Sequence, residues 1–426
     1  MTYILQAKLY DTKDIAREKI RIFVRTNMID LVEEEVGHLP DDPSIASNPE
    51  LNKEKLATRT DAIFDKIDNE PASVVQCEAF FSNAELIAEL KSGANLTIDY
   101  VSANHGITVN VLEEYYKYGK FKYDCGMYAD AYLMLGNFLS IVQVQTASVL
   151  GALWGRLACR ILQGLLQDKW DDSIQDLNAV KDAIEDRSIP AVDQLNQRAW
   201  LLHWGLFIFL NQTNGSDLLF DFFSEKVYLQ TLENLCPWLL RYYSCAALLS
   251  SKRRHVMRTA LEEIQSISYL YSDPFTQLVE SLYDRFDLDE AQVYLSKCLE
   301  SMKQDFFLHS FVEKFLLEVR VSMCEVHCGL TRRVDMTMLS EKMQLSEDEA
   351  EKWMVDMVRG AAALDGAKID SSGKQVIMPV PSKTGHKQVI DRTRELTVRS
   401  SILASNVTSL LSEQATYIKQ MQSQSN

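Results

Sequence analysis

The chain has 426 residues, of which 16 are glycine and nine are proline, and its formal net charge is −16. So few helix-breaking residues exclude a Gly/Pro-rich disordered chain, a collagen-like rod and a many-stranded β-sandwich. The acidic balance argues against a general nucleic-acid-binding protein, which needs an excess of Lys and Arg. These counts predict a large, mostly α-helical protein.

Cysteine usage and hydropathy indicate the cellular compartment in which the protein is expected. The eight cysteines are dispersed, which predicts reduced, mostly buried thiols of a cytoplasmic protein and not a disulfide framework. The apolar stretch before Asp11 is too short for a secretory signal. The most apolar stretch, residues 199–210, is shorter than the roughly 20 residues of a membrane span, so we expect a buried helix and no membrane contact.

The first part of the chain, residues 1–110, has the apolar spacing of several helices. Residues 39–49 contain three prolines and are predicted to be a loop, after which helical spacing resumes from residue 50 to residue 67. We interpret this part as a set of N-terminal helices.

A helix pair over residues 111–142 resembles a tetratricopeptide repeat, because small residues such as Gly119 and Ala131 occupy the positions where two antiparallel helices cross. Weaker copies follow at unequal intervals. The pattern predicts an irregular helical-repeat solenoid (TPR/HEAT-like) over residues 111–325. An ordinary helical bundle is the alternative.

Two further apolar segments lie within this region. Gly151 and Gly155 have the small-xxx-small spacing of closely packed helices, and the arginines that follow favour packing within a water-soluble protein. Trp200, Trp204 and Phe207 recur at helical spacing and are predicted to be core residues.

A dense basic cluster comprises Lys252, Arg253, Arg254 and Arg258. Contact with RNA or with an acidic partner surface is one interpretation. A solvated loop before the next helix is the interpretation that we favour.

Residues 326–380 carry the most informative pattern. Leu339 and Met343 indicate a short helix, a turn follows, and Ser346 with Glu349 forms the signature of a capping box. A second helix, then two short strands around residues 369 and 376, complete the order helix, turn, helix, β-hairpin. This order predicts a winged helix.

The charges of the second helix argue against DNA recognition by this winged helix. Residues 346–364 hold five acidic and two basic residues, whereas a DNA-reading helix presents Arg, Lys and Asn to the duplex. We therefore interpret the winged helix as a protein-interaction or structural module.

The last segment, residues 381–426, is predicted to be one long amphipathic helix. Residues 382–426 carry a net charge of +3, so the rest of the chain carries −19. The predicted apolar stripe consists of Val389, Leu396, Leu403, Val407, Leu410, Tyr417 and Met421. A stripe of this length must pack against something, and we favour a bundle with helices of partner proteins.

No catalytic, cofactor-binding or metal-binding constellation is predicted. Cys324, His327 and Cys328 share a helical face, but a structural zinc needs four ligands and buried thiols are the better interpretation. His203 is expected to be a hydrogen-bonded core histidine and not a catalytic base. The phosphate-binding and hydrolase motifs are missing from the sequence.

Helical repeats, a winged helix and a long C-terminal helix together resemble the PCI domain shared by the proteasome lid, the COP9 signalosome and eukaryotic translation initiation factor 3. Among these, the sequence resembles the E-subunit family of initiation factor 3. The segments that carry the resemblance are residues 26–30, 118–126, 153–155, 197–204, 236–242, 273–274, 286–291, 305–308, 349–353, 368–370 and 388–390.

The resemblance implies a non-catalytic scaffold subunit of the PCI/MPN core of that factor, which acts near the small (40S) ribosomal subunit in translation initiation. It implies contacts with the c and d subunits, and with the k and l subunits at the periphery, but gives no answer on direct RNA contact. It also implies a chain that starts later than its relatives. An edge strand formed by Lys374, Val376 and Met378 would pair with neighbouring winged helices, and the C-terminal helix would enter a shared bundle. A component of the proteasome lid or signalosome, and an independent peptide-binding adaptor, are the alternatives.

Overall fold

The chain is described here by a computed structural model. The described residues are 2–6, 8, 10–38, 51, 53–83, 85, 87, 89–90, 97–142, 147–167, 170, 172–186, 190–250, 253–331, 333–343, 346–360, 367–370, 375–378 and 385–424. The predicted loop at residues 39–49 lies outside them. The described part is mostly helical, as predicted.

The described residues form 21 α-helices and three short strands. The helices are α1 Thr2–Gln6, α2 Thr12–Phe23, α3 Ile29–Gly37, α4 Lys53–Asp68, α5 Ala72–Ser82, α6 Ile98–His105, α7 Val109–Asp124, α8 Tyr128–Ile141, α9 Ala147–Gln167, α10 Ser173–Ile184, α11 Ala191–Phe209, α12 Gly215–Phe223, α13 Lys226–Leu235, α14 Leu240–Leu249, α15 Arg253–Ile267, α16 Pro274–Tyr283, α17 Leu288–Gln304, α18 Val312–Leu330, α19 Met336–Met343, α20 Glu347–Gly360 and α21 Gly385–Gln424. The strands are β1 Arg333–Asp335, β2 Lys368–Asp370 and β3 Gln375–Ile377.

The chain divides into two compact units, Met1–Val326 and His327–Asn426. In the first unit each helix from α7 to α11 packs against the next one in the chain. The predicted helix pair is α7 and α8. Gly119 lies at their crossing, where an added Cβ would be 3.5 Å from the Cβ of Met134, so the two helices approach closely.

Helix α9 is packed through its glycines, as the small-residue spacing predicts. A Cβ added at Gly155 would lie 2.9 Å from Cδ1 of Leu135, and one at Gly164 would lie 2.8 Å from the ring of Trp170. Distances below about 3 Å do not occur for real Cβ atoms, because the repulsion is too steep. Glycine at these positions therefore sets how closely α8 and residue 170 can approach α9.

Residues 148–167 of α9 are also long and apolar enough, by length and composition alone, to cross a membrane, a test that core helices of soluble proteins pass as well. The hydropathy pattern pointed to residues 199–210 and not to this segment. Arg156 and Arg160 lie in the middle of α9 and pair with the buried carboxylate of Asp176 on α10, at 2.7 Å and 3.4 Å. Both guanidinium groups also lie over the ring of Tyr132 on α8. These polar contacts join α9 to its two neighbours within the protein.

Three of the segments that carry the family resemblance meet in the first unit. The Arg241 guanidinium donates to both carboxylate oxygens of Asp273, at 2.6 Å and 3.2 Å, and lies 3.7 Å from Asp305. The hydroxyl of Tyr242 donates to Asp305 at 2.9 Å, and Tyr3 of α1 donates to the backbone carbonyl of Asp305 at 3.2 Å. We call Arg241, Tyr242, Asp273 and Asp305 the Arg241 cluster. It joins α14, the start of α16 and the end of α17.

The prediction that Trp200, Trp204 and Phe207 are core residues is wrong for Trp200, whose side chain is 60% exposed, and Trp204 and Phe207 are half-buried. The buried face of α11 is formed by Leu201, Leu202, Gly205, Leu206, Ile208 and Phe209. Helical spacing is the same for both faces, so it does not tell which one is buried.

His203 lies on α11 between the two faces and is half-buried. Its Nδ1 lies 2.7 Å from the carbonyl of Ala199, and its Nε2 accepts from the indole N–H of Trp238 at 3.0 Å. Both ring nitrogens are engaged, as expected of a structural histidine. All eight cysteines are described, and none of them forms a disulfide bond.

The second unit contains α19, α20 and a small antiparallel sheet with strand order β1-β3-β2. The predicted capping box is confirmed: Ser346 accepts from the amide of Glu349 at 3.4 Å, and Glu349 accepts from the amide of Ser346 at 3.3 Å. Strands β2 and β3 form the predicted hairpin. Strand β1, which no sequence pattern predicted, pairs with the other side of β3.

Candidate interaction surfaces

The long C-terminal helix α21 exposes its apolar side chains. Its predicted stripe is described at five positions, and each is between 53% and 65% exposed: Val389, Leu396, Leu403, Val407 and Leu410. The side chains of Tyr417 and Met421 lie outside the described ones. No packing partner for α21 is found in the described part of its unit beyond isolated contacts. The stripe is therefore an apolar surface without a cover inside this unit.

Local interactions account for the helical conformation of α21. Glu395 pairs with Arg392 at 2.9 Å and with Arg399 one turn later, and all three side chains are largely exposed. Such pairs contribute about 0.3–0.5 kcal/mol each, so they favour the helix without fixing its position. Val398 and Ile402 are also exposed, on the side of the helix away from the stripe. Thus α21 is apolar on two sides, and this second side was not predicted.

The prediction that Lys374, Val376 and Met378 form an edge strand is wrong. Val376 belongs to the central strand β3, where it pairs with Val334 on one side and Ile369 on the other, and it is completely buried. Met378 follows the strand and is half-buried, and Lys374 lies outside the described residues. Because both sides of β3 are already hydrogen-bonded, it has no free edge to offer another sheet. The outer edges belong to β1 and β2.

Both outer strands carry charged residues that point away from the buried face. In β1 these are Arg333 and Asp335, and in β2 they are Lys368 and Asp370. Short edge strands with charged side chains resist unspecific pairing. An approaching sheet must therefore match these charges as well as the backbone.

The basic cluster does not lie in a loop, contrary to expectation, because α15 begins at Arg253. Arg258 is exposed and pairs with Glu262 one turn later at 3.2 Å. Lys252 and the side chains of Arg253 and Arg254 lie outside what the structure describes. Basic residues at a helix N-terminus oppose the helix dipole, which makes this turn a favourable place for an acidic group.

A cleft of about 460 Å³ opens between α7, α9 and α11. We call it the aromatic cleft, because five aromatic side chains line it: Tyr116, Tyr123, Trp154, Trp200 and Trp204. The rings of Trp154 and Trp204 meet edge to face, with centroids 6.0 Å apart. The glycines of α9 form part of the floor. The tryptophans that sequence spacing assigned to the core thus line a surface cleft.

Two charged residues, Lys120 and Asp124, line the aromatic cleft. Burial raises the pKa of the Asp124 carboxyl, and Lys120, one turn earlier, opposes this increase. Burial likewise raises the pKa of Tyr123 to about 12, so its hydroxyl remains protonated at neutral pH. Asp124 ends α7, where the helix dipole also disfavours a negative charge. Among the described residues, no side-chain hydrogen bond or ion pair compensates Asp124.

A metal site is not formed by the described residues: no group of three or more His, Cys, Asp or Glu side chains is arranged to hold an ion. This includes Cys324, His327 and Cys328, of which both thiols are buried. Burial raises the pKa of buried thiols such as Cys159, to about 12, which keeps them protonated and unreactive.

Comparison with known proteins gives a consistent result over the chain. A family model described as the eIF3 subunit 6 N-terminal domain matches residues 1–122. A Brugia malayi protein, named as the E subunit of eukaryotic translation initiation factor 3, is 32% identical over 410 residues, which cover 95% of this chain and 89% of the relative. Proteins of the same name are 31% identical in Aspergillus clavatus, over 92% of this chain and 86% of the relative, and 35% identical in Yarrowia lipolytica, over 75% and 76%.

Proposed function

Because this chain belongs to the E-subunit family of eukaryotic translation initiation factor 3, we propose that it is a non-catalytic scaffold subunit of that complex. In this role it organises the PCI/MPN core, contacts the c, d, k and l subunits, and supports mRNA recruitment to the 40S ribosomal subunit in the cytoplasm. The family membership supports a component of a multisubunit initiation factor.

The architecture that we propose is a PCI protein. Sequential packing from α7 to α11 supports a helical-repeat region within residues 111–325. Helices α19 and α20 with the sheet β1-β3-β2 support a winged helix within residues 326–380. The division into units at residues 326 and 327 agrees with the boundary between these two parts. Residues 1–110 would form the N-terminal helices, and residues 381–426 the terminal helix.

The exposed apolar surface of α21 is the observation that carries the proposal. A monomer gains nothing from nine exposed aliphatic side chains on one helix, namely Val389, Ile390, Leu396, Val398, Ile402, Leu403, Val407, Leu410 and Leu411. Covering such side chains contributes roughly 25 cal/mol per Å² of apolar area removed from water. A helix that is apolar on two sides fits between two neighbours, as in a bundle. The proposed cover is a set of helices from other subunits.

Replacing Leu396, Leu403 and Leu410 by aspartate tests this role. We expect the triple variant to leave the complex, because each carboxylate would have to enter an apolar bundle without a partner. The tagged variant is purified from cells, and the recovery of other initiation-factor subunits is measured by quantitative mass spectrometry. Recovery should fall by at least about tenfold, which corresponds to a loss of about 1.4 kcal/mol.

A matched control places three aspartates between the two apolar sides of the same helix: Thr397→Asp, Ser401→Asp and Thr408→Asp. This variant has the same added charge and should co-purify like the unmodified chain. Circular dichroism is used to check that both variants keep the helical fold. Normal co-purification of the leucine variant would contradict the bundle.

The identity of the co-purified proteins also separates the proposal from its alternatives. Initiation-factor subunits and 40S proteins are expected. Proteasome-lid or signalosome subunits would favour a different PCI complex. Pairing with a neighbouring winged helix remains part of the proposal, but it must use the outer edge of β1 or β2 and not β3.

A further inference from the structure

The aromatic cleft belongs to the first unit, whereas the surfaces on which the scaffold proposal rests belong to the second. Its walls come from three helices whose positions are set by close packing, notably at Gly151 and Gly155 of α9. At about 460 Å³ it has the size of a site for one large side chain with its flanking backbone. Trp200 on its rim is mostly exposed, so the cleft is open to a ligand from solution.

The lining of the cleft favours a cation. Aromatic rings carry negative charge on their faces, and Trp is the ring that attracts Lys, Arg or other cations most strongly. Three of the six tryptophans of the chain, Trp154, Trp200 and Trp204, lie in this one cleft together with two tyrosines.

Asp124 adds a negative charge to the same lining. Its carboxylate is partly removed from water, stands at the unfavourable end of the α7 dipole and lacks a compensating ion pair among the described residues. Lys120 is exposed and forms no ion pair with Asp124 among the described residues, although its charge lowers the pKa of that carboxyl. A cation from outside would find here both an aromatic wall and a carboxylate that forms no ion pair among the described residues.

We propose that the aromatic cleft binds an arginine side chain of an extended peptide segment from a partner protein, with the guanidinium stacked on the tryptophan rings and paired to Asp124. Arginine fits better than lysine, because its planar, weakly hydrated guanidinium stacks on rings and donates to both carboxylate oxygens at once. The net charge of −16 attracts basic segments to this protein. Lys120 at the rim would meet a backbone carbonyl or a carboxylate of the same segment.

The test uses the full chain labelled with 5-fluorotryptophan and followed by fluorine NMR. Six resonances are expected, and those of Trp170, Trp238 and Trp353 serve as internal controls because these residues do not line the cleft. The probe is the peptide acetyl-Gly-Gly-Arg-Gly-Gly-amide. Its matched peptides carry citrulline, lysine or proline in place of arginine, and single Trp→Phe variants assign the resonances.

The arginine peptide should shift the signals of Trp154, Trp200 and Trp204 in a saturable way, with weaker binding of the lysine peptide and none of the citrulline peptide. Asp124→Asn should weaken binding by about tenfold, the loss expected for one partly buried charge contact. The control is Asp182→Asn, which changes an exposed carboxylate in the last turn of α10 and should leave binding unchanged.

The melting temperature of Asp124→Asn separates a binding role of this residue from a structural one. Because burial disfavours its charge, Asp124→Asn should leave the melting temperature unchanged or higher while it weakens the peptide. A lower melting temperature with unchanged affinity would overturn the proposal. So would equal binding of the citrulline peptide, a preference for the proline peptide, or no shift of the cleft signals at millimolar arginine peptide. These results leave the test of α21 unaffected, since that helix is not part of the cleft.

Discussion

The Arg241 cluster and helix α21 differ in whether their side chains have partners within the described part of the chain. In the cluster, the charged groups of Arg241, Asp273 and Asp305 are paired, and both carboxylates are buried. Along α21 Glu395 pairs with Arg392 and Arg399 at the surface, and the apolar side chains have no cover in the described part of their unit. Thus the Arg241 cluster pairs its charged groups internally, whereas α21 leaves its apolar side chains exposed.

The contacts within the Arg241 cluster also change the pKa values of Arg241 and Tyr242. Burial lowers the pKa of the Arg241 guanidinium, whereas the hydrogen bond to Asp273 and the charges of Asp273 and Asp305 raise it. The second effect is larger, so the pKa is raised. Burial and the Asp305 carboxylate raise the pKa of Tyr242. Arg241 and Tyr242 therefore hold their protons throughout the physiological range.

Arg241→Met should give the largest loss of stability. The substitution keeps much of the side-chain volume but leaves Asp273 and Asp305 buried without their cation, which costs about 3 kcal/mol or more. The free energy of unfolding of the full chain is measured by urea denaturation. The expected result is a lower midpoint with an unchanged slope.

Arg258→Met is the matched control, because this arginine also pairs with a carboxylate but is exposed. Its loss should cost less than about 1 kcal/mol. Equal effects of the two substitutions would show that the buried cluster contributes no more than a surface ion pair, and the contrast between the two regions would be lost.

Val376→Ala should give the next largest effect, confined to the second unit. Val376 is completely buried in the central strand, and removing two methyl groups costs about 2 kcal/mol. Amide hydrogen exchange should then accelerate in β1 and β2 as well as in β3. Ile377→Ala alters the next residue, which is 38% exposed, and should change exchange little. Similar exchange in both variants would contradict the central position of β3.

How far the sequence predicts this unit depends on the range of each interaction. The capping box at Ser346 and the hairpin of β2 and β3 involve residues close in sequence, and both were predicted. Strand β1 has three residues and pairs with β3 about 40 positions later, so no local pattern announces it. Without β1 the strand β3 would lie at an edge, as the family resemblance implied, whereas β1 covers that edge and Val376 lies in the centre of the sheet.

Side chains that meet across the fold were missed for the same reason. Arg241, Asp273 and Asp305 each lie in a segment that carries the family resemblance, but nothing in the spacing shows that they converge. The tryptophans of α11 have helical spacing whether they face a core or a cleft, and only the packing of α7 and α9 decides this. The sequence does contain a signal that the tryptophans are not the buried face of α11, because Leu201, Leu202 and Leu206 already form an apolar face.

Two glycines in neighbouring helices allow a comparison between a tightly packed position, Gly164, and an open one, Gly136. Gly164→Ala should destabilise the chain by about 1 kcal/mol, because the new methyl group would overlap the Trp170 ring. Gly136→Ala, in α8, has open space around its Cβ and should stabilise the chain by up to about 1 kcal/mol through better helix propensity. Thermal unfolding of both variants measures the two changes. If both alanines stabilise, Trp170 moves aside at little cost, and the close approach at α9 contributes less to stability than its geometry indicates.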